Sequence, residues 1–169
     1  CFDTECAQDE RVVIEPLYWA DKWRYLAMCV AFGWVPVGDL SPDKEPAVWR
    51  GIWAAHALKR AKLVLNSAAT WPVWWRDAVP VVTFACRLGG GLVVPILNFG
   101  ETDKVKVKVN LQACGISEKN LRAWAYQPLV SERRREVGAV SGGVFSCELA
   151  MEPGFRSLTL LMIGRKPLI

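Results

Sequence analysis

Residues 81–111 read VVTFACRLGGGLVVPILNFGETDKVKVKVNL, and this stretch decides the architecture of the chain. The apolar run Val81–Leu88 predicts a strand. Gly89-Gly90-Gly91 predicts a tight turn, because glycine accepts positive φ without steric cost. Leu92–Asn98 is a second strand ending in Asn98-Phe99, and a polar turn leads to a third. There Lys104, Lys106 and Lys108 alternate with Val105, Val107 and Val109, which gives one wet face and one dry face. Lysines so placed also discourage edge-to-edge pairing. The whole is a β-meander, the opening of an antiparallel sandwich. A glycine-rich loop can also cradle phosphate, but here strands flank it on both sides and no helix N-terminus follows to receive an anion, so it reads as a turn.

Downstream the pattern continues. Leu121–Val130, carrying Trp124 and Tyr126, reads as a strand. Val137–Val140 and Val144–Met151 form a hairpin over Ser141-Gly142-Gly143. Glu152-Pro153-Gly154 is a turn, and Arg156–Ile163 is the last strand. Short strands separated by turn signals indicate a sandwich or barrel.

Upstream the character changes. Eight of the nine tryptophans lie in residues 1–75, the exception being Trp124. Arg11–Glu15 reads as a buried strand stopped by Pro16. Ala20–Phe32 reads as a helix, with Trp19, Trp23, Leu26 and Val30 at helical spacing and Gly33 as its stop. Trp34 leads into a second short apolar run ending at Asp39. Ser41-Pro42-Asp43 opens a turn that can cap a second helix, Glu45 to Leu65. Val48, Ile52 and Ala55 line one stripe of it, with Lys59, Arg60 and Lys62 near its C-terminal end, where the dipole favours them. Strand, helix, strand, helix indicates a parallel α/β unit. The expected fold is therefore α+β: a βαβα segment over residues 1–78 and an antiparallel all-β sandwich over 79–169, with the boundary at Ala78-Val79-Pro80. The aromatic cluster Trp71, Trp74 and Trp75 links the two, either as a packing wedge or as a sugar platform. Two strand–helix units cannot close a (β/α)8 barrel. Either the chain is the tail of a longer protein, or its helices pack on the sandwich as one α+β domain. A start at Cys1 rather than Met favours the tail.

Composition narrows the function classes. Of the 169 residues 52% are hydrophobic and 22% charged, so a packed core is expected rather than disorder. A net charge of +4 is too mild to indicate nucleic acid, and no apolar run approaches a membrane span. The six cysteines show no CxxC spacing and only His56 accompanies them, so neither a metal nor a cofactor is expected. Cys86 and Cys147 share strand parity with apolar neighbours and read as small buried hydrophobes. Cys1 and Cys6 are free to pair, though nothing requires it. His56 lies mid-helix with no serine or aspartate at triad spacing and reads as structural. The run Glu132–Glu136 reads as a solvated loop.

Val81–Arg87, Leu92–Phe99 with its Asn-Phe end, the alternating Val105–Leu111, the Met151–Phe155 turn and the strand Ser157–Ile163 together resemble the C-terminal β-sandwich of α-amylase-like and α-galactosidase-like glycoside hydrolases. In those families the sandwich follows a (β/α)8 barrel. The resemblance covers about half the chain and implies that residues 11–66 are the last two strand–helix units of such a barrel, with Arg11–Glu15 as its seventh strand and Val35–Asp39 as its eighth. No nucleophile or acid/base motif of a particular family is present. What is implied is an oligo- or polysaccharide partner and the remainder of a longer parent chain, with little or no activity in this chain alone.

Active sites of barrels sit at the C-terminal ends of the strands. Glu15 and Asp39 occupy two such ends and are the candidate catalytic carboxylates, since glycoside hydrolysis uses a carboxylate pair. Glu15 can equally stand solvated at a strand end, and Asp39 can cap the turn at Leu40-Ser41-Pro42. Asp3 and Glu5 are candidates for an earlier strand-end loop. Tyr18, Trp19 and Trp34 are the candidate substrate-binding aromatics, Trp19 also fitting the helix stripe. The competing reading is a complete, non-catalytic carbohydrate- or protein-binding module. Nucleic-acid binding would rest only on the lysine stripe and the arginine run.

Overall fold

In a computed structural model of the chain, the residues described are 23–34, 45–64, 73–75, 81–98, 103–117, 119–141, 143–151 and 158–169. Two helices and ten strands are placed there: α1 (residues 23–32), α2 (Pro46–Leu58), β1 (Lys62–Leu63), β2 (Val73–Trp75), β3 (Val81–Thr83), β4 (Cys86–Leu88), β5 (Gly91–Asn98), β6 (Lys104–Asn110), β7 (Leu121–Tyr126), β8 (Arg134–Val140), β9 (Val144–Ala150) and β10 (Leu158–Gly164). The strands form a seven-stranded sheet in the order β1-β4-β5-β10-β7-β8, with β3 also on β5, and a three-stranded sheet in the order β2-β6-β9. Every pairing is antiparallel. The described residues are thus α+β, with predominantly antiparallel sheets.

The period-two alternation of each strand builds three layers. On β5, Leu92, Val94 and Ile96 face one core, where they meet Val105, Val107 and Val109 of β6, Phe145 and Leu149 of β9, and Leu161 and Ile163 of β10. Val93 and Leu97 face the other core, with Leu158, Leu160 and Met162 of β10 and Trp124 and Tyr126 of β7. That second core is closed by Leu26, Ala27, Val30 and Ala31 of α1 and by Val48, Ala54, Ala55 and Leu58 of α2. The large sheet is therefore covered on both faces, which is why β5 and β10 are buried throughout and apolar apart from Asn98 and Thr159. β6 alternates exposed lysine with buried valine, as its sequence predicts.

Glycines and a proline set the local geometry. The meander turn is a two-residue connection, with Leu88 paired to Gly91 and Gly89 at φ 58. The expected single strand Val81–Leu88 is interrupted. β3 and β4 hold the same register on β5, which puts Phe84 opposite Pro95. Proline has no N–H to donate, so the ladder lapses at that rung. The Thr83 hydroxyl donates instead to the Pro95 carbonyl at 2.9 Å. α1 ends in a Schellman turn: Gly33, at φ 66, donates to the Val30 carbonyl at 3.1 Å, and the Trp34 N–H donates to that of Cys29 at 2.8 Å. On α2 the stripe Ala47, Val48, Gly51, Ala54, Ala55 and Leu58 is buried. A Cβ on Gly51 would sit 2.9 Å from a Leu129 methyl and 3.3 Å from Leu26, so the small residues allow close approach. The Arg50 guanidinium pins α2 to the Pro128 carbonyl at 2.8 Å.

Four boundaries differ from the sequence reading. α2 stops at Leu58 rather than Leu65, because Lys62 and Leu63 pair with Arg87 and Cys86 on the edge of β4. It begins at Pro46 after Glu45, which makes no side-chain cap; Ser41-Pro42-Asp43 lies outside the described residues. β7 ends at Tyr126, not Val130: Pro128 forces a turn, closed by the Val130 N–H on the Gln127 carbonyl, and Leu129 drops into the helix-facing core. β8 begins at Arg134, so three of the five residues of the expected loop Glu132–Glu136 belong to an exposed edge strand. Val137 is the extra residue of a bulge there, since Ala123 pairs with Gly138 and Trp124 with Glu136. The turn Glu152-Pro153-Gly154 lies outside the described residues.

Candidate functional site

Of the five residues singled out for substrate chemistry, Glu15, Asp39, Tyr18 and Trp19 lie outside the described residues, as do Asp3 and Glu5. Trp34 is described. It follows the Schellman turn of α1 directly and is 60% exposed. Its ring stacks on Phe32 with centroids 5.0 Å apart and planes 24° apart, and Phe32 stacks in turn on Phe84 at 4.9 Å and 17°. Beside it opens a cleft of about 450 Å³ lined by Phe32, Gly33, Trp34, Leu58, Lys59 and Ala61. The cleft exists because the two helix ends meet there: a Cβ on Gly33 would lie 2.8 Å from both the Leu58 carbonyl carbon and the Lys59 nitrogen.

The sandwich itself is chemically quiet. Among the described residues no buried side-chain nitrogen or oxygen lacks a partner, and no three His, Cys, Asp or Glu side chains gather as a metal site. Thr159 is held between Gln127 Nε2 and Met151 Sδ, each at 3.1 Å. Glu136 accepts from Arg122 at 2.9 and 3.1 Å, and Glu148 lies 3.9 Å from Lys106 on the wet face of β6. Arg134 lies over the Tyr126 ring, 4.5 Å from its centroid, and donates to the Ile169 carbonyl, tying down the chain end.

Burial pushes the Cys86 thiol up to about 11 and Cys114 to about 12. Cys147 rises to about 11, with burial outweighing the nearby Arg135. All three are protonated at neutral pH and pack as small hydrophobes, in keeping with the parity reading for Cys86 and Cys147. His56 is exposed on α2.

One pattern was present in the sequence and not extracted from it. Opposite its buried stripe, α2 carries Trp49 and Trp53 at i and i+4, while Ile52 flanks the stripe and packs against the helix-facing core, in keeping with its place in the stripe read from the sequence. Trp49 is 44% and Trp53 69% exposed, and Ile52 is half-buried. The helix is apolar on two faces, and one of them meets solvent. The stacking of Phe84 behind Phe32 was not legible, because Phe84 arrives there only through the tertiary fold.

No protein-family model matches the sequence, and no curated protein matches it. Solved structures do show similarity. One is a glycoside hydrolase, at 12% identity over 79% of this chain and 29% of that one, with a TM-score of 0.46. Another is a family 5 glycoside hydrolase from Bacteroides vulgatus, at 16% identity over 58% of this chain and 22% of that one, with a TM-score of 0.37. A third is a family 30 endoxylanase from Clostridium papyrosolvens, at 17% identity over 69% of this chain and 28% of that one, with a TM-score of 0.38. The chain spans less than a third of the length of each.

Proposed function

We propose that this chain is the C-terminal part of a carbohydrate-active hydrolase, in which the sandwich, with β1 and β2 as strands of its two sheets, is a structural accessory domain and the residues ahead of β1 close a (β/α)8 barrel. The observation that carries this reading is the double-faced α2. Its small-residue stripe covers the large sheet, while Trp49 and Trp53 on the opposite side are exposed. A helix apolar on two sides belongs between two layers. The apolar runs Arg11–Glu15 and Val35–Asp39 each lie just ahead of a helix, where parallel strands of an inner layer belong.

On this reading Glu15 and Asp39 stand at strand ends on the catalytic rim, beside Tyr18 and Trp19. One carboxyl protonates the departing glycosidic oxygen. The other attacks the anomeric carbon or activates water. The sandwich takes no part: its described carboxylates lie on the surface in ion pairs or solvent, and its core is closed on both faces.

The test uses the parent protein with its upstream residues. Glu15→Gln or Asp39→Asn is expected to lower glycoside turnover by about 10²–10⁴-fold at unchanged stability, and the isolated 169 residues are expected to be inactive. Substantial turnover by the isolated chain, or the absence of further strand–helix units upstream, overturns the reading. The alternative, a complete carbohydrate- or protein-binding module, is favoured by the same exposed aromatics taken as a working surface. It predicts a monodisperse monomer, whereas an uncovered Trp49–Trp53 stripe predicts self-association that Trp49→Gln/Trp53→Gln abolishes. Sedimentation velocity distinguishes them.

A further inference from the structure

Trp34 stands apart from the proposed catalytic rim. On the hydrolase reading, on which this separation rests, Asp39 stands at the C-terminal, catalytic end of a barrel strand and Trp34 just before its N-terminal end, at the opposite end of the barrel. The geometry around Trp34 does not rest on that reading.

That geometry is built. Two backbone hydrogen bonds of the Schellman turn fix the Trp34 main chain. Phe32, itself backed by Phe84, stacks on the indole. The ring is stacked on one side yet is 60% exposed, so part of its rotamer freedom is given up before binding. The adjoining cleft of about 450 Å³ is open to solvent along one side. Lys59, on its wall, brings three rotatable donors, and among the described residues no carboxylate pairs with it. A flat aromatic face with a negative quadrupole, next to a hydrogen-bond donor, suits a ring that is apolar on one face and hydroxylated at its edge.

We propose that the seam between the two helix ends is a non-catalytic sugar site, in which Trp34 takes the C–H face of one pyranose unit of a neutral polysaccharide and Lys59 donates to its hydroxyls. Such a site anchors the enzyme on its polymer while the barrel works elsewhere.

Affinity electrophoresis of the 169-residue chain in gels containing arabinoxylan, mixed-linkage β-glucan or polygalacturonate tests this. At least one neutral polymer is expected to retard the chain. Trp34→Ala should weaken retardation about tenfold or more, Trp34→Tyr should keep most of it, Lys59→Gln should lose a few-fold, and Trp53→Ala should lose none. No retardation by either neutral polymer overturns the proposal, as does undiminished retardation of Trp34→Ala with an unchanged urea midpoint. Retardation only by polygalacturonate, abolished by salt, assigns the site to cationic attraction and overturns it too. In the longer parent, Trp34→Ala should lose more turnover on the polymer than on a short soluble glycoside. Equal losses on both substrates would put Trp34 on the catalytic rim and overturn this site while leaving the hydrolase reading intact. Absence of hydrolysis in the parent, with Trp34-dependent retardation retained, sinks the hydrolase reading and leaves the site.

Discussion

Replacing Gly33 by alanine separates two costs that glycine avoids, because Gly89 supplies an internal control. Both have left-handed backbones, φ 66 and φ 58. An L-residue there costs about 1–2 kcal/mol. At Gly89 that is the whole cost, since a Cβ would meet nothing within 4 Å. At Gly33 the Cβ would lie 2.8 Å from the Leu58 carbonyl carbon, 2.8 Å from the Lys59 nitrogen and 3.0 Å from the Leu58 oxygen. These are backbone atoms of α2, so no rotamer relieves the overlap and the two helix ends must part. Overpacking of this kind adds about 1–3 kcal/mol. Gly33→Ala is therefore expected to cost about 3 kcal/mol, and Gly89→Ala about 1 kcal/mol. With a urea slope of about 1–3 kcal/mol/M, the first shifts the midpoint by about 1–3 M and the second by about a third as much. Urea titrations followed by far-ultraviolet circular dichroism and tryptophan fluorescence measure both. Equal shifts would refute the reasoning, because they would mean that α1 and α2 do not meet at Gly33. Separation of the helix ends should also loosen Trp34 from Phe32 and weaken any sugar binding at the seam.

Leu160 and Leu161 are adjacent on β10, wholly buried, and face opposite cores. Alanine at either is expected to cost about 2–5 kcal/mol, with the helical and fluorescence signals shifting together; two separate transitions contradict a shared central strand. Thr83→Val strands the Pro95 carbonyl and should cost about 1–3 kcal/mol, with Thr83→Ser recovering most of it in the same urea assay. The buried thiols give a pH signature. Their folded values lie above the ordinary 9.0, reaching about 11 for Cys86 and about 12 for Cys114, so above pH 9 the unfolded chain loses protons that the fold retains. Their contribution is complete below pH 9 and declines toward pH 11–12. Urea midpoints under reducing conditions should fall more steeply over that range in the wild type than in Cys86→Ala/Cys114→Ala, and equal slopes contradict it. Glu136→Gln breaks an exposed pair with Arg122 and should cost less than about 1 kcal/mol, vanishing at 1 M salt.

The meander was legible because its signals are local. Three glycines make the turn, and alternating lysine and valine make the wet and dry faces of β6. The ends of α2 and β7 were misjudged because long-range partners decide them: an unpaired edge on β4 takes up Lys62 and Leu63, and Leu129 has a place between the helices. The lapse at Phe84 was foreshadowed by Pro95, but only the pairing of β5 with β3 and β4 shows which rung a missing donor removes. For the candidate site, the sequence yielded Trp34 as an aromatic platform. It held no trace of the Phe84 backing or of Lys59 beside it, since both arrive through the packing of the α1 end on α2 and on the sheet.

The position of β10 has a consequence for how this protein comes into being. It lies between β5 and β7, and both are synthesised before it. Until it emerges from the ribosome, β1-β4-β5 and β7-β8 have no described strand joining them, and each presents an open hydrogen-bonding edge. Among the described strands, β10 is the one that joins the two halves. A nascent chain halted before Leu158 is thus not a smaller sandwich but two unjoined ribbons with a vacant slot between them. Conversely, a separately made peptide spanning Leu158–Gly164 carries the register needed to fill that slot, so the fold contains within it the parts of a split protein.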